Sequence, residues 1–225
     1  MCETKQYIII VMRQILILIS FVFLLSCGKE KAILLPEINS SQITEVPEVS
    51  PAYIFYDETK TDSVELNRKN LIISTNWLFN VDKRLTLEQA VPKIKFLQDK
   101  KRNAKMHKNE AARNYYTCND TSIKNLGFID FTETTYQTEL KSDEFIAQTD
   151  SLNSEIIYFS KENISLNNNS ISDINSAINT IKNNNSQIVL AFDKTLSFQD
   201  YITYKAFIES LKTESISINR NEFIY

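Results

Sequence analysis

The residues with the greatest catalytic potential in this sequence are one histidine and one cysteine. His107 is the only histidine of the 225 residues, and Cys118 is the only cysteine after Cys27. A histidine beside a cysteine can act as the base that activates a thiol nucleophile. Neither residue lies in a recognisable nucleophile motif, and a cysteine without a disulfide partner is typically a small core hydrophobe. We therefore predict no catalytic residue, with a His107–Cys118 pair as an open alternative.

Four acidic residues form the second candidate group. Asp57 and Glu58 lie near the end of one predicted strand, and Asp130 and Glu133 lie near the end of another. Such carboxylates can hold a cation or act as acid and base, but they are more often solvated turn residues. A single histidine excludes a site with several histidine ligands, and the sequence has neither a glycine-rich phosphate loop nor zinc-like cysteine spacing. We therefore predict a non-enzymatic protein without a metal or cofactor site.

The beginning of the chain indicates where the protein works. Arg13 precedes a stretch without charge at residues 14–28. The apolar part, residues 15–25, would be about 17 Å long as a helix at ~1.5 Å per residue, whereas a bilayer core needs roughly 20 residues. This length is typical of the hydrophobic part of a signal peptide, and Met12 is a plausible translation start.

The end of this stretch, Leu24-Leu25-Ser26-Cys27, resembles the lipobox of bacterial lipoprotein precursors. The resemblance implies that residues 1–27 are a signal peptide and that Cys27 is lipidated and becomes the mature N-terminus. Acyl chains anchor a protein by about 0.8 kcal/mol per buried CH₂, so the rest of the chain would be tethered outside the cytoplasm, in the periplasm or at the cell surface. The alternative is an uncleaved anchor that spans residues 7–25.

Composition and charge restrict the partners. The formal net charge is −3, and the hydrophobic content of 43% is sufficient for a real core. Nothing in the charge distribution supports binding to nucleic acid, and we interpret the basic run at residues 100–107 as a solvated helix end and loop. We therefore expect the membrane and an envelope protein as partners, and no nucleic acid.

The mature chain divides into four segments by pattern. Residues 28–51 contain three of the four prolines and little periodicity, which predicts an extended linker. An N-terminal α+β module is predicted at residues 52–136, a polar connector at residues 137–154, and a C-terminal α+β module at residues 155–225.

Within the N-terminal module, apolar patterning predicts strands at residues 52–58, 63–67, 70–81 and 126–132. Residues 114–122 are aromatic and turn-like. Trp77, the only tryptophan, is predicted to lie in the core. Thr86 and Gln89 have the spacing of a capping box, whereas Pro92 predicts a helix that starts nearer this residue or is kinked there.

The C-terminal module has the clearest pattern, β-β-α-β-α-β, which predicts a small sheet with helices packed on one face. Helices are predicted from Asp173 and from Ser197, which forms a second capping-box pair with Asp200. The chain has only two glycines, so asparagines are expected at the turn positions of positive φ. Strands are predicted at residues 155–160, 163–167, 187–192 and 215–219.

The C-terminal module resembles the periplasmic domain of the ExbD/TolR family. The resemblance lies in the strand pair IIYFSKENISLNN, the strand end VLAFD, a tyrosine-containing helix and the closing strand SISIN, together with Leu35-Pro36 after the hydrophobic segment. Phe192 interrupts the family's alanine–aspartate pair, and Ser215 replaces a common glycine. The family carries a functional aspartate in its membrane helix, whereas residues 14–28 have no acidic residue. The resemblance therefore implies a recognition module without proton-driven energy transduction.

Two short segments point to an internal duplication. Residues 81–87 (VDKRLTL) and 192–198 (FDKTLSF) share an Asp-Lys pair, a leucine and a hydroxyl residue that starts a helix. This similarity predicts that residues 52–136 are a second, elaborated copy of the C-terminal module.

Three functions are consistent with these features. The first is a membrane-anchored, non-enzymatic accessory of ExbD/TolR type, related to biopolymer transport, that binds an envelope protein or peptidoglycan through sheet edges and exposed aromatic residues such as Tyr115 and Tyr116. The second is a surface lipoprotein that binds a solute or glycan in an aromatic-lined pocket. The third is an envelope hydrolase, which requires a pocket that gathers His107 with Cys118 or with a carboxylate pair.

Overall fold

The computed structural model describes residues 13–14, 31–149, 154–172, 174–175, 178, 181, 187–210 and 217–225. Residues 33–225 form one compact unit of two six-stranded mixed sheets and, within the described residues, three helices. The predicted combination of helices and sheets is confirmed. Cys27 lies outside the described residues, as does nearly all of the predicted signal peptide. Among the described residues, no helix is long and apolar enough to span a membrane.

The first sheet contains strands β1 (Glu37–Ile38), β2 (Val49–Tyr56), β3 (Val64–Asn67), β4 (Asn76–Val81), β5 (Asn114–Asp120) and β6 (Asn125–Asp130). The order is β1-β5-β4-β2-β3, and β6 also pairs with β5. The turn-like interpretation of residues 114–122 is therefore wrong, because β5 pairs with three other strands. Its alternate residues Tyr116 and Cys118 are both fully buried, as is Trp77 in β4, which confirms the prediction for that tryptophan.

The second sheet contains β7 (Thr135–Gln137), β8 (Ser154–Phe159), β9 (Ile164–Leu166), β10 (Asn169–Ile171), β11 (Gln187–Phe192) and β12 (Ser217–Ile224), in the order β10-β9-β8-β11-β12-β7. Asn167 and Asn168 have φ of 47° and 67°, as expected for asparagine in glycine's role. The prediction holds only for this turn, because the other described residues of positive φ are Ser40, Glu48, Ser63, His107 and Lys124. β7 belongs to this sheet, although it lies where the sequence predicted the end of the N-terminal module. The helix predicted from Asp173 falls largely outside the described residues.

The helices are α1 (Leu87–Arg102), α2 (Ser142–Thr149) and α3 (Phe198–Ser210). The capping box of α1 is confirmed, since Thr86 Oγ1 accepts from Gln89 N and Gln89 Oε1 accepts from Thr86 N. Pro92 lies inside α1, so the prediction of a start near this residue is wrong. α2 lies in the predicted connector.

Both sheets and the helices α1 and α3 contribute to one hydrophobic core. The opposite face of the second sheet is covered by α2, where the rings of Phe145 and Phe223 are 5.2 Å apart. The prediction of helices on one face only is therefore wrong for this sheet. The reason is the apolar strand β11, whose residues from Ile188 to Phe192 are all buried, so that both faces need a cover.

The corner before α1 and the corner before α3 are joined by an antiparallel exchange of main-chain hydrogen bonds. Leu87 N donates to Leu196 O at 3.0 Å, and Phe198 N donates to Leu85 O at 2.7 Å. A second pair follows outside the first, from Glu88 N to Lys194 O and from Gln199 N to Lys83 O. Thr86 and Ser197 form the bridge between them. The two segments that share a sequence pattern therefore contact each other directly.

The segment from residue 33 to residue 51 packs on the unit and is not the extended linker that its prolines predicted. The buried Asp120 carboxylate holds it, accepting from Ser40 N, from Ser41 N and Oγ, and from Ser122 N and Oγ. A Cβ on Gly127 would clash with Ser41 Oγ and lie 2.6 Å from Ser41 Cβ, so this close approach requires glycine. The proline-rich composition gave no signal for these contacts, because Asp120 is 79 positions from Ser41.

Asp120→Asn should lower the free energy of unfolding at neutral pH, since hydrogen bonds to an ionised carboxylate are stronger than those to a neutral amide. The hydroxyls of Ser122 and Ser41 hold the pKa of Asp120 below its ordinary value. The stabilisation is thus present above the unfolded pKa of about 3.9 and is lost as pH falls through the folded pKa. Urea unfolding of both proteins at neutral pH and near pH 3 measures this difference, which should narrow in acid. A constant difference would contradict the prediction, and Asp99→Asn on the exposed side of α1 is the control.

Candidate functional site

A cleft of about 460 Å³ brings together charged side chains from both sheets and from α3, and we call it the charged cleft. Its lining comes from the residue before β5, the end of β6 and the loop after it, β11, the second half of α3, and β12. The charged residues are of both signs: Arg113, Asp130, Glu133, Lys205, Glu209, Arg220 and Glu222. Elements that are distant in sequence therefore meet at this one place.

The most buried charged residues of the cleft are Lys205 and Glu222, which are 5% and 4% exposed and form an ion pair. Lys205 Nζ also donates to Thr134 Oγ1 at 3.4 Å and lies 5.8 Å from the centre of the Tyr201 ring. Burying two charges is favourable only when further hydrogen bonds satisfy them. These contacts make the pair a fixed, charged floor of the cleft.

Three buried tyrosines extend this floor into the core. The hydroxyl of Tyr201 donates to Glu222 Oε2 at 2.6 Å and lies 3.0 Å from the hydroxyl of Tyr136, which is hydrogen-bonded to that of Tyr116. Burial raises the pKa of all three hydroxyls well above the ordinary value, so they stay protonated near neutral pH. The chain of hydroxyls connects β5 of the first sheet directly to β7 of the second sheet, and it continues from β7 to α3 and to Glu222 in β12.

The expectation that Tyr116 is an exposed contact residue is therefore wrong. Its side chain is fully buried and stacks on Phe131 with ring centres 3.8 Å apart. Tyr115, its neighbour in β5, is half-buried.

Beside the charged cleft lies a second cavity of about 310 Å³, which we call the basic recess. The two cavities share Thr132, Glu133 and Arg220 in their linings. The recess is lined by four cationic residues, Lys101, Arg102, Lys108 and Arg220, and by two acidic residues, Glu110 and Glu133. It therefore has an excess of positive charge.

Lys101 is the most buried cation of the recess. It is 6% exposed, and its Nζ donates to Arg113 O at 2.9 Å and to Asn114 Oδ1 at 3.0 Å. Burial lowers the pKa of Lys101 to about 8, with a smaller opposing effect of Asp130. The interpretation of residues 100–107 as a solvated helix end holds for the exposed Lys100 and is wrong for Lys101.

The rim of the charged cleft carries two further ion pairs. Arg113 Nε donates to Asp130, whose other carboxylate oxygen accepts from Thr132 N and Oγ1. Arg220 pairs with Glu133 at 3.2 Å, with side chains 75% and 59% exposed. Exposed pairs of this kind are worth only about 0–1 kcal/mol, so a ligand can replace either partner at low cost. The arrangement suits a ligand with groups of both charges.

The structure separates most of the candidates predicted from sequence. Cys118 is buried in β5, where burial raises its thiol pKa, and His107 is exposed in a loop. Asp57 and Glu58 lie in the turn after β2, where Asp57 accepts from Thr59 N and Oγ1. Within the described residues, no group of three potential metal ligands is found.

Asp130 and Glu133 are the predicted pair that the structure brings to one site. Each faces an arginine of the charged cleft, so both carboxylates are arranged for charge pairing. The buried members of the site were missed by sequence reasoning. Their signal was a lysine on an apolar helix stripe: Lys205 follows Tyr201 by four positions in α3, and Lys101 follows Leu97 by four positions in α1.

No family model, no curated protein and no solved structure matches the chain. The similarities to lipoprotein precursors and to ExbD/TolR therefore stay predictions.

Glu222→Gln and Lys205→Met should each lower the free energy of unfolding by about 3 kcal/mol, because removal of one partner leaves the other charge buried and unpaired. The double variant should lose at least about 1 kcal/mol less than the sum of the single losses. Urea unfolding of the four proteins measures this coupling. Arg220→Met and Glu133→Gln on the exposed rim are the matched control, with losses below about 1 kcal/mol each. Additive losses at Lys205 and Glu222 would contradict the prediction.

Wild-type stability should rise relative to Lys101→Met as pH increases from about 8 to about 10.5. The folded pKa of Lys101 is about 8 and its ordinary value is 10.5, so in this window the unfolded state binds the proton that the folded state has released. Unfolding midpoints in urea at several pH values measure the difference between the two proteins. Parallel pH profiles of stability for the two proteins would contradict the prediction. Both proteins contain the same tyrosines, whose titration cancels in the comparison.

Proposed function

We propose that the protein is a lipid-anchored, non-enzymatic binding protein of the bacterial cell envelope, whose charged cleft recognises peptidoglycan or an envelope protein. The anchor part rests on the sequence, namely the apolar stretch at residues 15–25 and the lipobox-like Leu24-Leu25-Ser26-Cys27. The binding part rests on the charged cleft.

The observation that carries the binding proposal is the convergence of opposite charges in the charged cleft. Four carboxylates and three cationic groups line it, and its floor is fixed by the hydrogen bonds of Glu222. Its volume of about 460 Å³ lies within the range of ligand pockets, about 300–1,000 Å³. The peptides of peptidoglycan carry both amino and carboxylate groups, so their charges are complementary to such a lining.

We further infer that the two sheets arose by duplication of one ExbD/TolR-like unit. In both halves an antiparallel hairpin (β2 and β3, β8 and β9) is followed by a strand parallel to its first member, a helix, and a further parallel strand. A short strand placed before each hairpin pairs in parallel with that last strand, β1 with β5 and β7 with β12. The reciprocal hydrogen bonds between the two corners support the same inference.

A solute-binding lipoprotein is the second candidate, and a third cavity favours it. This groove of about 690 Å³ lies between residues 37–43 and α3. Its lining contains Ile38, Ile43, Phe128 and Phe207. An apolar solute would fit this lining better than the charged cleft.

Co-sedimentation of the full-length, detergent-solubilised protein with purified peptidoglycan sacculi tests the binding proposal. Arg113→Gln removes a cation that lines the charged cleft but not the basic recess, and it should reduce the bound fraction about fivefold, equivalent to ~1 kcal/mol. Lys161→Gln in the exposed turn after β8 is the matched control and should bind like wild type.

Crosslinking in native membranes tests binding to an envelope protein. Labelling with a fatty acid tests the lipid anchor: wild type should incorporate the label and Cys27→Ala should not. Binding neither to sacculi nor to a crosslinked envelope protein would refute the binding proposal. Labelling of Cys27→Ala equal to wild type would refute the anchor.

A further inference from the structure

The basic recess contains two cations for which the described residues supply no carboxylate. Lys101 has two neutral acceptors, Arg113 O and Asn114 Oδ1, and Arg102 donates through Nη2 to Thr132 O and Thr134 O. In the part of the chain that the structure describes, neither residue forms an ion pair. A buried charge without a counter-ion is unfavourable, so this position is stabilised by any anion that reaches it.

The neighbouring groups do not neutralise Lys101. Its ammonium lies 5.2 Å from the centre of the Trp77 ring, an attraction of about 0.5–2 kcal/mol that is weaker than a buried ion pair. Asp130 is paired with Arg113, Glu133 with Arg220, and Glu110 with Lys108 at 2.9 Å, with its own side chain 81% exposed.

The geometry points to a small-oxyanion site in the basic recess, with Lys101 and Arg102 as the main positive groups. The ligand chemistry is a carboxylate or phosphate group on a small molecule or peptide end. The recess offers the combination that oxyanions require: a planar guanidinium with donors left over, an ammonium, and the polar side chains of Asn109, Asn114 and Thr135 in the same lining. Its volume of about 310 Å³ excludes a large ligand and admits one such group with a short extension.

This site goes beyond the proposed function, because it does not require peptidoglycan or any envelope partner. It shares Arg220 and Glu133 with the charged cleft. A ligand anchored in the recess through its oxyanion therefore extends towards the charged cleft along this exposed pair.

Calorimetric titration of the full-length protein in neutral detergent tests the site with three probes: inorganic phosphate, an acetylated dipeptide acid, and the amide of the same dipeptide. At least one of the two oxyanions should bind, and the amide should not. Phosphate binding alone identifies a phosphate ligand, and binding of the dipeptide acid alone identifies a carboxylate ligand.

Lys101→Met should weaken the binding of the oxyanion about tenfold or more, equivalent to a loss of ~1.4 kcal/mol in binding free energy. Lys100→Met makes the same change of charge on the exposed side of α1, outside the recess lining, and should change the affinity less than about twofold. Equal losses in both variants, or binding of neither oxyanion below about 10 mM, would overturn the proposal.

Glu110→Gln keeps the test decisive if Lys101→Met does not fold. Glu110 is exposed and competes with the ligand for Lys108, so its neutralisation should tighten oxyanion binding about threefold. An unchanged affinity in this folded variant would overturn the site. Sedimentation with sacculi in the same variant stays at the wild-type level if the charged cleft alone binds peptidoglycan, which separates the two proposals.

Discussion

The reciprocal hydrogen bonds between the corner before α1 and the corner before α3 determine how the two sheets can share one core. Each sheet carries its own helix, and neither sheet with its helix encloses the core alone, since the core includes buried residues of both. The corners offer the unpaired N–H groups that every helix start leaves, and each corner donates them to carbonyl oxygens of the other corner. α3 consequently packs against β1, and α1 packs against β7. Because these hydrogen bonds fix the two corners against each other, they also fix the position of one sheet relative to the other.

The buried network of Tyr116, Tyr136, Tyr201, Glu222 and Lys205 lies within this shared core. Polar groups there are costly unless every one is hydrogen-bonded, and a hydrophobic replacement of a buried ion pair is often equally stable. General stability is therefore a weak explanation for the network. Its members come from β5, β7, α3 and β12, so the network is satisfied only when both sheets and α3 occupy their native positions. It specifies the geometry of the cleft whose floor it forms.

Local patterns in the sequence predicted the elements that depend on local interactions. The capping boxes at Thr86 and Ser197 start helices, the first of them despite Pro92 in its interior, and the asparagine turn after β9 has positive φ. The errors concern contacts between distant residues. The polar residues of β5 are typical of a turn, but Asp120 at its end is hydrogen-bonded to the distant Ser40 and Ser41 as well as to the nearby Ser122. The proline-rich segment before β2 is typical of a linker, but these same long-range contacts hold it on the fold. Composition carries no information on such pairings.

The sequence predicted only the residues at the exposed rim of the candidate site. The positions of its residues along the strands and helices explain this. Asp130 and Glu133 follow a strand, where acidic residues are recognisable, whereas Lys101 and Lys205 occupy helix positions that a periodic pattern assigns to apolar residues. A lysine at such a position either extends to water or has a buried polar partner. In α3 the partner is a carboxylate, Glu222; in α1 the partners are neutral oxygens. Two equivalent departures from the apolar pattern thus produce two different cavities: one with its buried cation neutralised, and one, the basic recess, with its buried cation available to an anion.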